Sequence, residues 1–231
     1  LTFLGHTVSE HGCIPNDERV RTITQFPRPI NVRAIRSFLG MMTFYRTFIA
    51  GFSVIAAPLT ALLRKDVAFT WNYDQEKAFD TLRFALTKEP VLIYPNYKEP
   101  FIVATDACKV GIGAALMQKR AGKLKPIAFF SRKCTSQEQN YSATESEALA
   151  VIMALEHFKE IILGYPIEVQ TDHIALTSYF SKGQNAHGRV SRWISKVAEF
   201  SPTIKYIPGK YNVVADALSR YVGCVTFASI D

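Results

Sequence analysis

Four cysteines are all that the 231 residues contain, at positions 13, 108, 134 and 224, and no two form a Cys-x-x-Cys pair. Their scatter excludes a dense disulfide framework, argues against a zinc site, and suits a reducing intracellular compartment. The five histidines show no metal-ligand spacing either. No apolar run approaches the roughly 18 residues of a membrane span, so no membrane partner is expected. Acidic residues are the scarcer charge: 20 Asp plus Glu face 27 Lys plus Arg, for a net charge of +7 and an isoelectric point near 9.2. That surplus favours a polyanionic partner, nucleic acid foremost, although an acidic membrane surface or plain solubility would also account for it. The chain opens LTFLGHTVSE, with neither an initiator methionine nor a signal peptide, and reads as cut from something longer.

What is present changes texture near Pro90. Before it, residues 1–14 suggest a short β-hairpin with Gly12 near the turn. Pro15, Pro27 and Pro29 punctuate a loop-rich approach to a helix that Asn31 can cap, with Val32, Ile35, Phe38, Leu39 and Met42 at helical spacing. Helical text continues through AAPLTALLRKD, and a further helix starting near Asp74 carries Ala78, Leu82, Ala85 and Leu86 on one side. After Pro90, the runs PVLIYP, FIVATDA, GIGAALMQ and LKPIAFFS read as strands. The GIG after Asp106 reads as the tight turn of a hairpin. A long helix over 141–163, the strand IEVQTD and a helix through ALTSYF follow. A helix from Arg189 to Phe200, the strand TIKYIP and a short helix NVVADALSR complete the order. It predicts an α/β fold: a mixed sheet with flanking helices, preceded by a mainly helical region with an N-terminal β-hairpin.

The 141–163 helix carries a misplaced charge. At about 100° per residue, Ala150, Val151, Ala154, Leu155, Phe158, Ile161 and Ile162 share an apolar stripe, while Glu145, Glu156, Lys159 and Glu160 lie opposite. Glu147 projects into the stripe, where an ionised carboxylate is expensive unless a cation or donors meet it. Two capping boxes compete: Ser142 with Glu145, and Thr144 with Glu147. The first satisfies the cap and leaves Glu147 facing the sheet.

Three further acids stand at element ends. Asp106 closes a strand, Asp172 closes another, and Asp216 follows Asn212 by one helical turn. Singly, each has an ordinary structural reading as a turn initiator, a helix cap or a solvated carboxylate. Together with Glu147 they point to the edge of an α/β sheet where parallel strands end and sites assemble. Unneutralised, two such charges about 4 Å apart would cost roughly 4 kcal/mol at an effective dielectric of 20. The cluster therefore implies divalent cations, raised pKa values, or acids that do not in fact converge, and hard oxygen ligands select Mg²⁺ or Mn²⁺. Two such ions clamp the attacking water and the leaving oxygen in phosphodiester cleavage.

The strings TDAC-KVGIGAALMQ, PIAFFSRK, EQNYSATESEALAVIMAL, TDH and IPGKYNVVADALSR resemble, in this order, the RNase H domain of gypsy-type LTR retrotransposon Pol polyproteins. The similarity runs over roughly residues 95–221. It implies a ribonuclease-H-like fold that hydrolyses the RNA strand of an RNA–DNA hybrid with two Mg²⁺. The four acidic positions, both catalytic and metal-ligating, fall on Asp106, Glu147, Asp172 and Asp216. Asp106 is expected as the shared ligand, Glu147 and Asp172 on one ion, and Asp216 on the other. FLGHTVSEHGCI resembles the hairpin that grips the primer terminus at the end of a reverse transcriptase palm. FPRPINVRAIRSFLGMMTFYRTFIAGFS and PLTALL resemble the thumb and linker. The implied division is 1–14 end of palm, 15–94 thumb and linker, 95–221 RNase H, and 222–231 polyprotein linker.

The sequence departs from that pattern in two places. The polymerase motif Tyr-x-Asp-Asp and the fingers are absent, so this segment alone is not expected to polymerise DNA. The loop Pro208-Gly209-Lys210-Tyr211 lacks the histidine that many RNases H place before the last helix. His173, beside Asp172, is either an outer support for the metal site or an ordinary structural histidine. Phosphate contacts to the hybrid are expected from Arg132, Lys133, Arg189, Arg192, Lys205, Lys210 and Arg220. Arg33, Arg36, Arg46, Arg64 and Lys65 are expected to follow the duplex upstream. Trp71 and Trp193 read as packing residues. The implied partners are an RNA–DNA hybrid, a primer–template duplex and the palm and fingers of the same polyprotein. The implied location is a cytoplasmic particle or the nucleus. The competing readings are a catalytically inactive or domesticated nucleic-acid-binding remnant, and a structural connection module serving another subunit.

Overall fold

The structure is a computed structural model that describes residues 1–3, 6–10, 12–87, 92–180 and 189–208. It opens with three short antiparallel strands, β1 (Thr2–Phe3), β2 (His6–Ser9) and β3 (Gly12–Pro15). The expected hairpin is thus the β2–β3 pair, with a third strand added. Helices α1 (Asp17–Thr24) and α2 (Val32–Phe44) follow, then a 3-10 turn at Arg46–Phe48 and short helices α3 (Phe52–Ile55) and α4 (Ala57–Ala61). Helix α5 (Tyr73–Ala85) completes the first unit. Asn31 caps α2 as expected, its side chain accepting from the Ala34 amide at 2.9 Å. Such a cap contributes about 1 kcal/mol. Phe38 and Phe79 stack obliquely at 4.7 Å in the centre of a helical core that Ile23, Ile35, Met42, Leu59 and Leu82 complete.

Helix α1 lies where the prolines suggested only a loop. Its text, DERVRTIT, buries Ile23 and little else, so it carries no apolar stripe to read. Local chemistry forms it instead: Asn16 accepts from the Glu18 amide, and Asp17 and Glu18 place negative charge at the positive end of the helix dipole. The described part of PVLIYP, residues 92–95, is not a strand either. Leu92 forms an isolated bridge to Cys13, and Ile93 donates to the Pro126 carbonyl. These residues touch both units without entering a ladder.

The second unit is a five-stranded sheet built from β4 (Phe101–Cys108), β5 (Gly111–Arg120), β6 (Lys123–Lys133), β7 (Ile167–Thr171) and β8 (Thr203–Tyr206). The order is β6-β5-β4-β7-β8, antiparallel from β6 to β4 and parallel from β4 through β8. The β4–β5 hairpin turns at Lys109–Val110, so the GIG triplet lies inside β5 rather than in the turn. Helix α6 (Ala143–Ile162) crosses the sheet, and Phe101, Val103, Leu116, Val151, Leu155 and Phe158 form the core between them. Helix α8 (Arg189–Phe200) packs on α6 through Trp193, Val197 and Phe200. The ALTSYF segment gives only a four-residue helix, α7 (Leu176–Tyr179). NVVADALSR lies outside the described residues.

The first unit covers the outer edge strand of the sheet. Arg46 Nη2 donates to the Ser131 carbonyl at 2.7 Å, and Ser53 Oγ donates to the same oxygen at 2.9 Å. The Ser53 amide donates to Ser131 Oγ, also at 2.9 Å. An exposed strand edge is a template for unwanted pairing, and these contacts occupy the β6 edge with helix instead.

Candidate active site

Local capping decides which glutamate of α6 faces the sheet. Ser142 is the N-cap, in extended backbone, and its hydroxyl oxygen accepts from the Glu145 amide. The Glu145 carboxylate folds back to accept from the Ser142 amide at 3.0 Å and hydroxyl at 2.9 Å. Both halves of a capping box are thus present, and Glu145 is a cap. Glu147, two residues on, turns to the buried side.

Parallel pairing brings the other two acids to the same place. The last β4–β7 pair is Ala104 with Gln170, so Asp106 and Asp172 each lie two residues beyond it, at the C-terminal ends of neighbouring strands. The residue across the β5 ladder from Asp106 is Gly113, so no side chain from that strand crowds the carboxylate. The Glu147 carboxyl is pushed up to about 8 by burial first, then by the charges of Asp106 and Asp172, against a smaller opposing effect of the Ala107 amide. Asp106 is also raised, by burial and then by Asp172, with the Ala107 amide again opposing. Glu147 Oε2 is buried without a hydrogen-bond partner. Asp216 lies outside the described residues.

Three mutually repelling carboxylates and one orphaned buried oxygen form an oxygen-only donor set that lacks positive charge. That chemistry fits a hard divalent cation such as Mg²⁺ or Mn²⁺, which neutralises carboxylates without needing nitrogen or sulfur ligands. Among the described residues, no three carboxylate, imidazole or thiol groups close into a ready-made metal cage.

The expected phosphate contacts divide differently. Arg132 is a structural cation: its two terminal nitrogens each donate to the Glu138 carboxylate at 2.9 Å, and Nη1 also donates to the Lys133 carbonyl. That pairing holds the Glu138 carboxyl at about 2, and it takes Arg132 out of the set free to meet a phosphate. Nothing in the spacing signalled the pairing, since the 3-10 turn Glu138–Asn140 that presents the glutamate has no apolar pattern. Arg46 is likewise engaged, on Ser131. Lys133 is half-buried, while Arg192, Arg33, Arg36, Arg64 and Lys65 are exposed. Lys205 is exposed and lies 3.8 Å from Glu168. Arg189 begins α8, and Lys210 and Arg220 lie outside the described residues. Trp193 is buried in the sheet core, and Trp71 packs edge-on against Phe79. Thr144 carries no sequence signal beyond its rival capping box, yet its hydroxyl lies 2.8 Å from His173 Nε2.

A mixed five-stranded sheet with acids gathered where its parallel strands end, crossed by a helix that presents a buried glutamate, defines a ribonuclease-H-like protein. Residues 71–169 match the family described as RNase H-like domain found in reverse transcriptase, and residues 127–222 match a reverse transcriptase-like family. The chain is 37% identical over 220 residues to the retrovirus-related Pol polyprotein from transposon 412 of Drosophila melanogaster, covering 95% of this chain and 18% of that protein. Against the corresponding polyprotein of transposon gypsy from the same organism it is 38% identical over 233 residues, covering 95% and 22%. The fold is that of the foamy viral protease-reverse transcriptase. The complex of its dRH form with double-stranded DNA aligns at a TM-score of 0.74 and 24% identity, over 90% of this chain and 37% of that one. The complex with an RNA/DNA hybrid aligns at 0.71 and 24%, over 90% and 29%. The chain belongs to the reverse transcriptase–RNase H family of gypsy-type retrotransposon Pol polyproteins. It spans about a fifth of the length of the two transposon relatives.

Proposed function

We propose that this chain is the thumb, linker and RNase H portion of a retrotransposon reverse transcriptase and that it hydrolyses the RNA strand of an RNA–DNA hybrid. The observation that carries the reading is Glu147: a half-buried carboxylate with one buried, unpartnered oxygen, beside two other acids at the end of a parallel strand pair. A carboxylate so placed is expensive unless a cation or donors meet it, and the Ala107 amide offsets only part of that cost. The complex of the foamy viral enzyme with an RNA/DNA hybrid supports the choice of substrate.

In this mechanism Asp106, Glu147 and Asp172 would hold divalent cations, with Asp216 assigned as the fourth acid. Such cations would supply positive charge for activating water and for neutralising the departing 3′-oxygen. The protein's own part is positioning. Strands β4 and β7 fix two carboxylates through their shared ladder, and α6 brings the third from across the sheet. The low-dielectric surroundings of Glu147 strengthen its attraction for any cation that reaches it. Exposed Arg192 and Lys205 and half-buried Lys133, with Arg33 and Arg36 on α2, are assigned to the phosphates of the hybrid and of the duplex upstream. The 1–14, 15–94, 95–221 and 222–231 division, the palm and fingers as partner, and a cytoplasmic or nuclear site of action are part of the same proposal.

The test is Mg²⁺-dependent cleavage of an end-labelled RNA–DNA hybrid. Asp106→Asn and Glu147→Gln should each lower the rate by roughly 100-fold or more, because each removes charge on which the transition state depends. Full cleavage by either variant sinks the assignment.

A further inference from the structure

A partly buried hydrogen bond joins the first turn of α6 to the segment leaving β7: Thr144 Oγ1 and His173 Nε2 lie 2.8 Å apart. Thr144 is the second residue of α6, and Glu147, three residues on, lies on the same side of the helix. His173 directly follows Asp172. Its own backbone is pinned, since the His173 amide donates to Thr171 Oγ1 at 3.1 Å and its carbonyl accepts from the Leu176 amide at 3.0 Å. Thr171 is fully buried at the end of β7. The bond therefore ties one fixed element to another: one carries Glu147, and the other runs through Asp172.

Those two carboxylates repel each other, as the upward shift of Glu147 by Asp172 records. Nothing in that repulsion favours the close approach that a shared cation needs. A hydrogen bond spanning the same two elements opposes it and fixes the spacing before any cation arrives. We propose that the Thr144–His173 hydrogen bond is a positioning clamp that sets the gap between Glu147 and Asp172 for a divalent cation. The clamp rests on the metal-dependent reading above and adds two residues to it. Neither touches the reacting atoms, so both act through the carboxylates they position. Outer partners of metal ligands typically change metal affinity by about 10-fold or more when removed.

Mn²⁺ affinity of the whole chain, read by paramagnetic resonance of free Mn²⁺, tests the clamp. Thr144→Val removes the hydroxyl, and His173→Phe keeps a ring without its nitrogen. Each should weaken Mn²⁺ binding about 10-fold. The double variant should be no weaker than either single one, because both delete the same bond. His173→Gln, which keeps a nitrogen at similar reach, should stay within about threefold of the parent; this rescue separates positioning from a general loss of fold. Single variants that bind Mn²⁺ like the parent, or losses that multiply in the double variant, overturn the clamp alone. A parent chain that binds no Mn²⁺ overturns the metal-dependent reading, and the clamp with it.

Discussion

At the scale of single residues, the placement of Glu147 costs stability. Its folded carboxyl keeps a proton up to about 8, while an ordinary glutamate releases it near 4.5. Near neutral pH the folded chain must therefore either hold that proton or bury a charge, and each unit of pKa displacement corresponds to about 1.4 kcal/mol. Glu147→Gln removes this burden. The metal-free variant should be more stable than the metal-free parent at pH 7 by on the order of 1–3 kcal/mol. Adding Mg²⁺ should raise the melting temperature of the parent and leave that of the variant in place. Equal Mg²⁺ responses in a thermal scan would remove Glu147 from the proposed metal site.

Glu138 shows the opposite electrostatics. Its hydrogen bonds to Arg132 come first among the causes that hold its carboxyl at about 2, below the usual value near 4.5. The unfolded chain thus takes up the proton first as pH falls. The pair's stabilisation is complete above about 4.5 and is lost progressively as pH drops toward 2. Glu138→Gln should lower stability at pH 7 and flatten that acid slope, with the difference from the parent shrinking toward pH 2. Chemical denaturation at a series of pH values measures it. Hybrid affinity and its salt dependence should not change in Arg132→Ala, since that guanidinium is already occupied.

Among the elements, the β4–β5–β6 meander is held close against α3 by a glycine. A Cβ added at Gly111 would stand 2.8 Å from Val54 Cγ2 and 3.0 Å from the Arg132 carbonyl oxygen. The valine can be trimmed, but the backbone oxygen cannot move without disturbing the β5–β6 ladder. Gly111→Ala should therefore destabilise by roughly 1–3 kcal/mol. Val54→Ala in the same chain should recover only part of the loss, with urea midpoints of the single and double variants as the measure. The sequence showed no sign of this constraint, because Gly111 looked like part of a turn and nothing in the pattern marked Val54 as its neighbour. Patterns that repeat within one element are legible in the sequence: the stripe of α6, the Ser142–Glu145 box and the apolar cores of β4, β5 and β7. Contacts between separate elements leave no such trace, as for Arg132 with Glu138, Ser131 with Ser53, and Thr144 with His173. Helix α1 was hidden too, since a cap and the helix dipole stabilise it and it lacks an apolar stripe. Three of the site's acids could be placed because strand ends and a helix face are local features.

For the whole molecule, the issue is whether the helical unit and the sheet behave as one body. Their cores are separate, one around Phe38 and Phe79 and the other around Val103, Leu155 and Phe158. Phe129 touches the helical core from β6, and Ser131, 2% exposed, serves as the polar joint. Its carbonyl accepts from Arg46 and Ser53 Oγ, and its hydroxyl oxygen accepts from the Ser53 amide. Ser131→Ala keeps the two bonds to the carbonyl and leaves the Ser53 amide without its acceptor. A buried donor left unpaired costs about 1–3 kcal/mol. That loss falls on the interface and not within either core, so it should weaken the coupling between them more than it weakens each one. Amide exchange is the direct measure. In Ser131→Ala, protection should fall first in residues 46–62 and along β6, while the centre of α6 and β4 keep the parent's rates. Uniform loss across both units would instead mean that they unfold as a single cooperative body. In that case the exposed arginines of α2 and the acids at the sheet end are rigidly linked, and any motion at one is felt at the other.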